Sequence, residues 1–189
     1  MANMASVAYA IEGPQEVLEQ IQQAINKAIP DKEHWSEWKA CEFLGFPESQ
    51  LRNYRLGGEI SEEPTIKDGV MRFWAEERWG LQDFEELLRK KFPEIKVYWI
   101  VEESGCEVYA TNDKEGKYFP ERYYVELSLD DQIEMEYFKT EEDMFQWLFK
   151  KTDGRVKNWQ NVDDFNSDYE DEALDDENYI IIHQFDVCD

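Results

Sequence analysis

Cysteine is scarce: Cys41, Cys106 and Cys188 are odd in number, widely spaced and form no Cys-x-x-Cys pair. That excludes a disulfide framework and a zinc set, and small buried side chains are the expectation for all three. Only two histidines are present, His34 and His183; His183 falls in an apolar stretch and reads as a core or edge residue. Gly57-Gly58 lacks a third Gly or a Lys-Ser/Thr at phosphate-loop spacing and reads as a turn. No apolar run approaches membrane-spanning length, and no basic stretch followed by a long apolar one opens the chain, so a cytoplasmic protein is expected.

Positive charge is the next shortage. Lys and Arg number 20 against 44 Asp and Glu, a net charge of −24. Phosphate contacts need clustered cations, so nucleic acid is not expected as a direct partner. Solubility, attraction to a basic protein, or imitation of a polyanion stay open. The imbalance is uneven: 23 acids face 14 bases from Met1 to Pro120, and 21 face 6 from Glu121 to Asp189. Aromatic residues are plentiful (7 Trp, 10 Tyr, 11 Phe), more than one face of one sheet needs, so some are expected at a contact surface.

The clearest pattern runs from Val70 to Asp113. Met71, Phe73 and Ala75 alternate with Arg72, Trp74 and Glu76, a strand with one buried face. After a Trp79-Gly80 corner, Leu81, Phe84, Leu87 and Leu88 form a helical stripe over 81–92, with acids early, bases late and Pro93 as the stop. Ile95, Val97, Trp99 and Val101 then predict a central strand, and 106–110 another. Upstream, 5–12 predicts a first strand and Gly13-Pro14 opens a helix with Pro at its first position. Short helices are expected within 34–51, and a weak edge strand within Leu56–Pro64, joined to the Val70 strand by Lys67-Asp68-Gly69.

Downstream, 122–127 and 132–138 predict strands, and Thr140-Glu-Glu-Asp143 starts a helix. Periodicity fades from Lys157 to Asn178, which reads as an acidic loop, before a buried last strand at Tyr179–Val187. The fold class is therefore α+β: a ferredoxin-like split βαβ antiparallel sheet with helices on one face, plus an acidic C-terminal β-rich extension. The expected division is a core at 1–113 with an insert at 31–56, and an extension at 114–189 packed on the same sheet.

Met-Ala-Asn ahead of a strand ending in Glu12-Gly13, a helix, an insert, and Trp79 followed by Phe92-Pro-Glu-Ile-Lys-Val-Tyr-Trp-Ile-Val-Glu-Glu-Ser-Gly105 resemble the YubB/Api92 ferredoxin-like proteins of bacterial mobile elements and phages. The resemblance spans Met1 to Thr111; Met4-Ala5 stand where the family has Trp-Cys, and Gly80-Leu-Gln where it has Ser-Pro-Pro. It implies a ferredoxin-like fold and an origin in a mobile element or phage. It brings no catalytic residue with it.

Paired carboxylates (Glu76/Glu77, Glu102/Glu103, Asp163/Asp164) read as solvated faces rather than acid–base pairs. The spacing from Asp164 to Asp175 imitates a calcium loop, but Tyr169 replaces the turn Gly and Asp175 the bidentate Glu. No catalytic residue, cofactor or metal site is assigned. The expected function is a non-enzymatic acidic binding protein that engages a basic protein, such as a nucleic-acid-binding one, as a DNA-mimicking inhibitor. The surface assigned to it comprises Glu134, Glu136, Asp163, Asp164, Asp168, Glu170, Asp171, Glu172, Asp175, Asp176, Glu177, Tyr124 and Tyr169. An immunity protein against a basic toxin, an enzyme or small-ligand binder with a pocket between sheet and insert, and a self-associating edge strand are the alternatives. A membrane is not an expected partner, and the oligomeric state is left open.

Overall fold

The computed structural model describes residues 3–31, 33–130, 132–170 and 178–188, with backbone alone for 168–170. Two units divide the chain: Met1–Lys114 with Val187–Asp189, and Glu115–Asp186. The first holds β1 (Met4–Glu12), α1 (Gln15–Ala28), α2 (Ser36–Phe43), α3 (Glu48–Leu51), β2 (Gly58–Glu59), β3 (Thr65–Lys67), β4 (Val70–Arg78), α4 (Phe84–Lys91), β5 (Lys96–Glu103) and β6 (Val108–Thr111).

β1 lies between β4 and β5, antiparallel to both, while β2 and β3 pair with the far edge of β4. Taken over β1, β3, β4 and β5, that is the strand order of the expected double split βαβ. The register sets Val7 beside Ala75 and Val101, and Tyr9 beside Phe73 and Trp99. All of them are buried with Leu18, Ile21 and Ile25 of α1 and Leu87 and Leu88 of α4 in one core, so the helices cover a single face. Slippage by one residue would drive Arg72, Trp74 and Glu76 into that core, which fixes the pairing. Tyr9 stacks on Phe73 with centroids 4.7 Å apart, and Phe84 meets Phe73 edge-on at 6.3 Å. Asp68 and Gly69, with φ of 52° and 75°, make the tight hairpin between β3 and β4.

Pro14 is the N-cap of α1 rather than its first residue. α4 begins three residues later than its apolar stripe suggests, because the preceding turn spends its polar groups on the insert. Asp83 N–H donates to the Arg55 carbonyl at 2.9 Å, and the Asp83 carboxylate accepts from Arg55 N–H at 2.8 Å. Gly57-Gly58 is no turn: Gly58 belongs to β2.

The second unit holds β7 (Tyr123–Leu129), β8 (Gln132–Phe138), α5 (Glu141–Lys151), α6 (Trp159–Glu170) and β9 (Tyr179–Gln184). Its strands do not extend the first sheet. They form their own antiparallel three-stranded sheet in the order β8-β7-β9, over a separate core of Val125, Leu127, Met144, Leu148, Val162, Phe165 and Ile180. The stretch assigned to an acidic loop is helical as far as Glu170. Asn158 caps it by accepting Asn161 N–H at 3.0 Å, and Val162 and Phe165 bury one side of it. Nor is the last strand buried throughout: β9 is an edge with Ile181 exposed, and β10 (Asp186–Val187) pairs in the first sheet, beside β6.

No helix among the described residues is long and apolar enough to cross a membrane. Cys41 is buried as expected, but Cys188 is half-buried and Cys106 exposed.

Candidate functional sites

Strand periodicity decides where the predicted contact residues lie. Glu134 and Glu136 pair across from Leu127 and Val125 and share their helix-side face of the three-stranded sheet. Tyr124 pairs with Tyr137 on the other face. The structure therefore separates Tyr124 from both glutamates. Glu134 is also ion-paired, with Lys151 Nζ 2.6 Å from Oε1. Asp163 and Asp164 are exposed on α6, where Asp164 accepts from Gln160 Nε2 at 3.1 Å. Asp168, Tyr169 and Glu170 continue α6, with side chains not described. Asp171, Glu172, Asp175, Asp176 and Glu177 lie outside the described residues, as does the end of the calcium-like spacing. Among the described residues no group of three or more His, Cys, Asp or Glu side chains could hold a metal ion.

The face that carries Tyr124 is the more distinctive one. Across it run Ile133, Met135 and Tyr137 of β8, Tyr124, Glu126 and Ser128 of β7, and Tyr179, Ile181 and His183 of β9. Ile133 is 59% exposed, Met135 58%, Tyr137 43% and Ile181 42%. Tyr124 lies 4.8 Å from the Tyr137 ring and stacks on His183 at 5.9 Å, and Tyr179 donates its hydroxyl to Glu126. Exposed apolar side chains lined up along β8, with Ile181 on β9 across Glu126 from them, mark this face as a contact surface. The alternation that reveals them was visible in the sequence; which of the two faces α5 and α6 would cover was not.

The second constellation lies inside the first unit and corrects the reading of Glu76/Glu77 and Glu102/Glu103 as solvated faces, since strand alternation turns Glu77 and Glu103 inward, where both are buried. Glu77, the last inward-facing residue of β4, is fully buried, and so is Glu37 of α2. Tyr9 Oη donates to Glu77 Oε1 at 2.5 Å, and Gln82 N–H donates to Glu77 Oε2. Gly58 N–H donates to Glu37 Oε2 at 2.9 Å. Among the described residues no N–H or O–H reaches Glu37 Oε1, which leaves that oxygen to carry a proton towards the neighbouring Glu77 carboxylate.

Two ionised carboxylates about 4 Å apart would repel by about 4 kcal/mol even at an effective dielectric constant near 20. Desolvation adds several kcal/mol for each ion. The pair is therefore held with one proton, Glu37 as the donor acid and Glu77 as the acceptor of three hydrogen bonds. Burial, with the charge of Glu77 beside it, drives the Glu37 carboxyl well above the usual range. Burial also raises Glu77, against the hydrogen bonds from Glu37, Tyr9 and Gln82. Burial and the same carboxylates push the Tyr9 hydroxyl up. Glu85, nearby on α4, is raised by burial and drawn back by Arg89, whose Nε lies 2.7 Å from Oε2.

Gly58 makes this possible, since a Cβ there would sit 2.2 Å from the Glu37 carboxyl carbon. The cluster is sealed from solvent, so it fastens the insert to the sheet and offers no surface for a reaction. Its sequence signal was faint: a glutamate at an inward position of β4, and a glycine that looked like a turn. Compared with protein-family models, curated proteins and solved structures, the chain matches none.

Proposed function

We propose that this is a non-enzymatic binding protein whose second unit docks a basic protein, through the open face of the three-stranded sheet, and acts as its inhibitor. The observation that carries the reading is the exposed row of Ile133, Met135 and Tyr137 along β8, with exposed Ile181 on the same face of β9, in a unit where acids outnumber bases 21 to 7 between Glu115 and Asp186. Apolar anchors supply affinity, and the surrounding negative potential steers a cationic partner and rejects others. The same arrangement supports a protein partner with an apolar patch ringed by Lys and Arg more than mimicry of nucleic acid by carboxylates alone. The origin in a mobile element or phage stays part of the proposal and rests on the resemblance from Met1 to Thr111.

The immobilised protein tests this with host lysate. The expected result is retention of a basic protein that releases between about 0.1 and 0.5 M salt and is lost in the double variant Ile133→Ser, Met135→Ser. Retention that neither salt nor the double variant weakens would overturn the proposal, as would capture of only a second copy of this chain.

A further inference from the structure

A groove of about 560 Å³ opens in the first unit where the insert meets the end of β4, walled by Trp35, Trp38 and Trp79 and edged by Arg55 and Arg78. We infer that it binds a small molecule with a flat aromatic ring and an acidic group, the ring against the indoles and the acid on Arg78.

Three observations carry this. Arg78 has no carboxylate within ion-pair distance among the described residues, in a chain with 44 acids and 20 bases; its guanidinium lies 5.8 Å over the Trp35 ring instead. An unpaired guanidinium on an aromatic wall is set up for an incoming anion.

Trp79 is the second. Its φ of 64° is in the left-handed region, which a bulky side chain rarely enters. Among the described residues every other non-glycine residue with positive φ is an Asp or Glu: Asp68, Glu107, Asp130 and Asp153. The Trp79 N–H is bound to the Asn3 carbonyl at 2.9 Å, yet the indole is 59% exposed, so the strained backbone holds an aromatic ring out at the groove and not in the core.

The third is rigidity. Gln82, on the groove floor, spends its amide on the carbonyls of Arg78 and Gly80 and on Gly57 N–H, while its own N–H is fixed by buried Glu77. Arg55 is held by Asp83 at 3.0 Å. The floor and one edge are thus positioned before a ligand arrives, as is the Trp38 indole, which donates to Glu42 Oε1 at 3.2 Å, and this lowers the cost of binding. The groove lies wholly in the first unit, so this inference stands apart from the docking surface of the second.

The test uses the full chain and three probes: 1-naphthylacetate, 1-naphthyl phosphate, and 1-naphthylmethylamine, which keeps the ring and reverses the charge. Indole N–H signals in two-dimensional NMR locate binding, and calorimetry measures it. The expected result is saturable binding of an anion, with shifts at Trp35, Trp38 and Trp79 and none at Trp74. Affinity falls by about tenfold or more in Arg78→Gln, and the amine does not bind. Preference for 1-naphthylacetate or for 1-naphthyl phosphate, which share one ring, decides whether the acid is a carboxylate or a phosphate. Trp79→Gly gives a second reading: glycine relieves the positive φ, so thermal stability holds or rises while binding is lost. Equal binding of the amine, full affinity in Arg78→Gln, shifts away from the three indoles, or no saturation below about 10 mM overturns the inference.

Discussion

Glu77 and Glu134 are both strand glutamates that face the helix side of a sheet, one in each unit. Glu77 sits on β4, inside its sheet, and is fully buried; Glu134 sits on the edge strand β8, its side chain 44% exposed beside Lys151. The interior position surrounds its carboxyl with donors: Tyr9, Gln82 and protonated Glu37. The edge position leaves its carboxyl to water and one lysine, an exposed ion pair worth about 0–1 kcal/mol. The same side chain thus fastens one unit from within and only dresses the outside of the other, and charge alone could not separate the two cases.

The largest test of that contrast removes the space on which the buried cluster depends. Gly58→Ala places a methyl group where the Glu37 carboxyl lies. It must break the contact to Gly58 N–H or the shared hydrogen bond, and disrupting a buried pair costs about 3 kcal/mol or more. Urea titration followed at the tryptophans of the first unit (Trp35, Trp38, Trp74, Trp79, Trp99) should show this loss, while hydrogen exchange in β7 and α5 stays as it was. A change below about 1 kcal/mol would mean that the Glu37 carboxyl moves aside freely and that the cluster is no fastening.

pH sharpens the comparison next. The folded pKa of Glu37 is raised above its unfolded value of about 4.3. A raised acid binds its proton more tightly in the native state, so its contribution is complete below the unfolded value. It is lost as pH climbs towards the folded value, at up to about 1.4 kcal/mol per pH unit. Glu37→Gln keeps one donor and one acceptor without a titrating proton. The stability of the first unit should then match the parent near pH 4 and exceed it near pH 7, with a flatter profile between. Parallel profiles for parent and variant would show that Glu37 is ionised in the fold.

How far all this was legible in the sequence follows from the range of the interactions. Period-two alternation in β1, β4 and β5, the helical stripes of α1 and α4, and the Asp68-Gly69 hairpin are local signals, and they specified the first sheet. Thr140 likewise announced α5, and its hydroxyl accepts Asp143 N–H at 3.1 Å. α6 was missed because acids at 163, 164, 168 and 170 masked a stripe of only Trp159, Val162 and Phe165. The placement of β7, β8 and β9 in a sheet of their own was not readable, since alternation shows a buried face and not which element buries it. The carboxyl cluster was the least legible. Glu37, Gly58 and Glu77 come from a helix, an edge strand and a central strand, and each looks ordinary until the register sets Gly58 opposite Glu77.

A smaller effect is expected at the start of α5. Thr140→Ala removes the cap to Asp143 N–H and the hydroxyl contact to its carboxylate at 2.7 Å. The cost should be about 1 kcal/mol, read at Trp147 and Trp159 and absent from the tryptophans of the first unit. An equal loss in both sets would mean that the two units unfold together.

The smallest effect on stability is the one that most directly opposes surface carboxylates to buried ones. Asp163 and Asp164 are exposed on α6, where Asp164 accepts from Gln160. Asp163→Asn with Asp164→Asn should leave stability within about 0.5 kcal/mol of the parent, far from the cost of disturbing Glu37 and Glu77. The pair should still weaken capture of a basic partner at low salt and make that capture less sensitive to salt, because long-range attraction falls with the charge removed and is screened beyond about 10 Å at 0.1 M. Unchanged salt dependence in this variant would place the attraction elsewhere in the second unit and leave the apolar sheet face as the contact that decides binding.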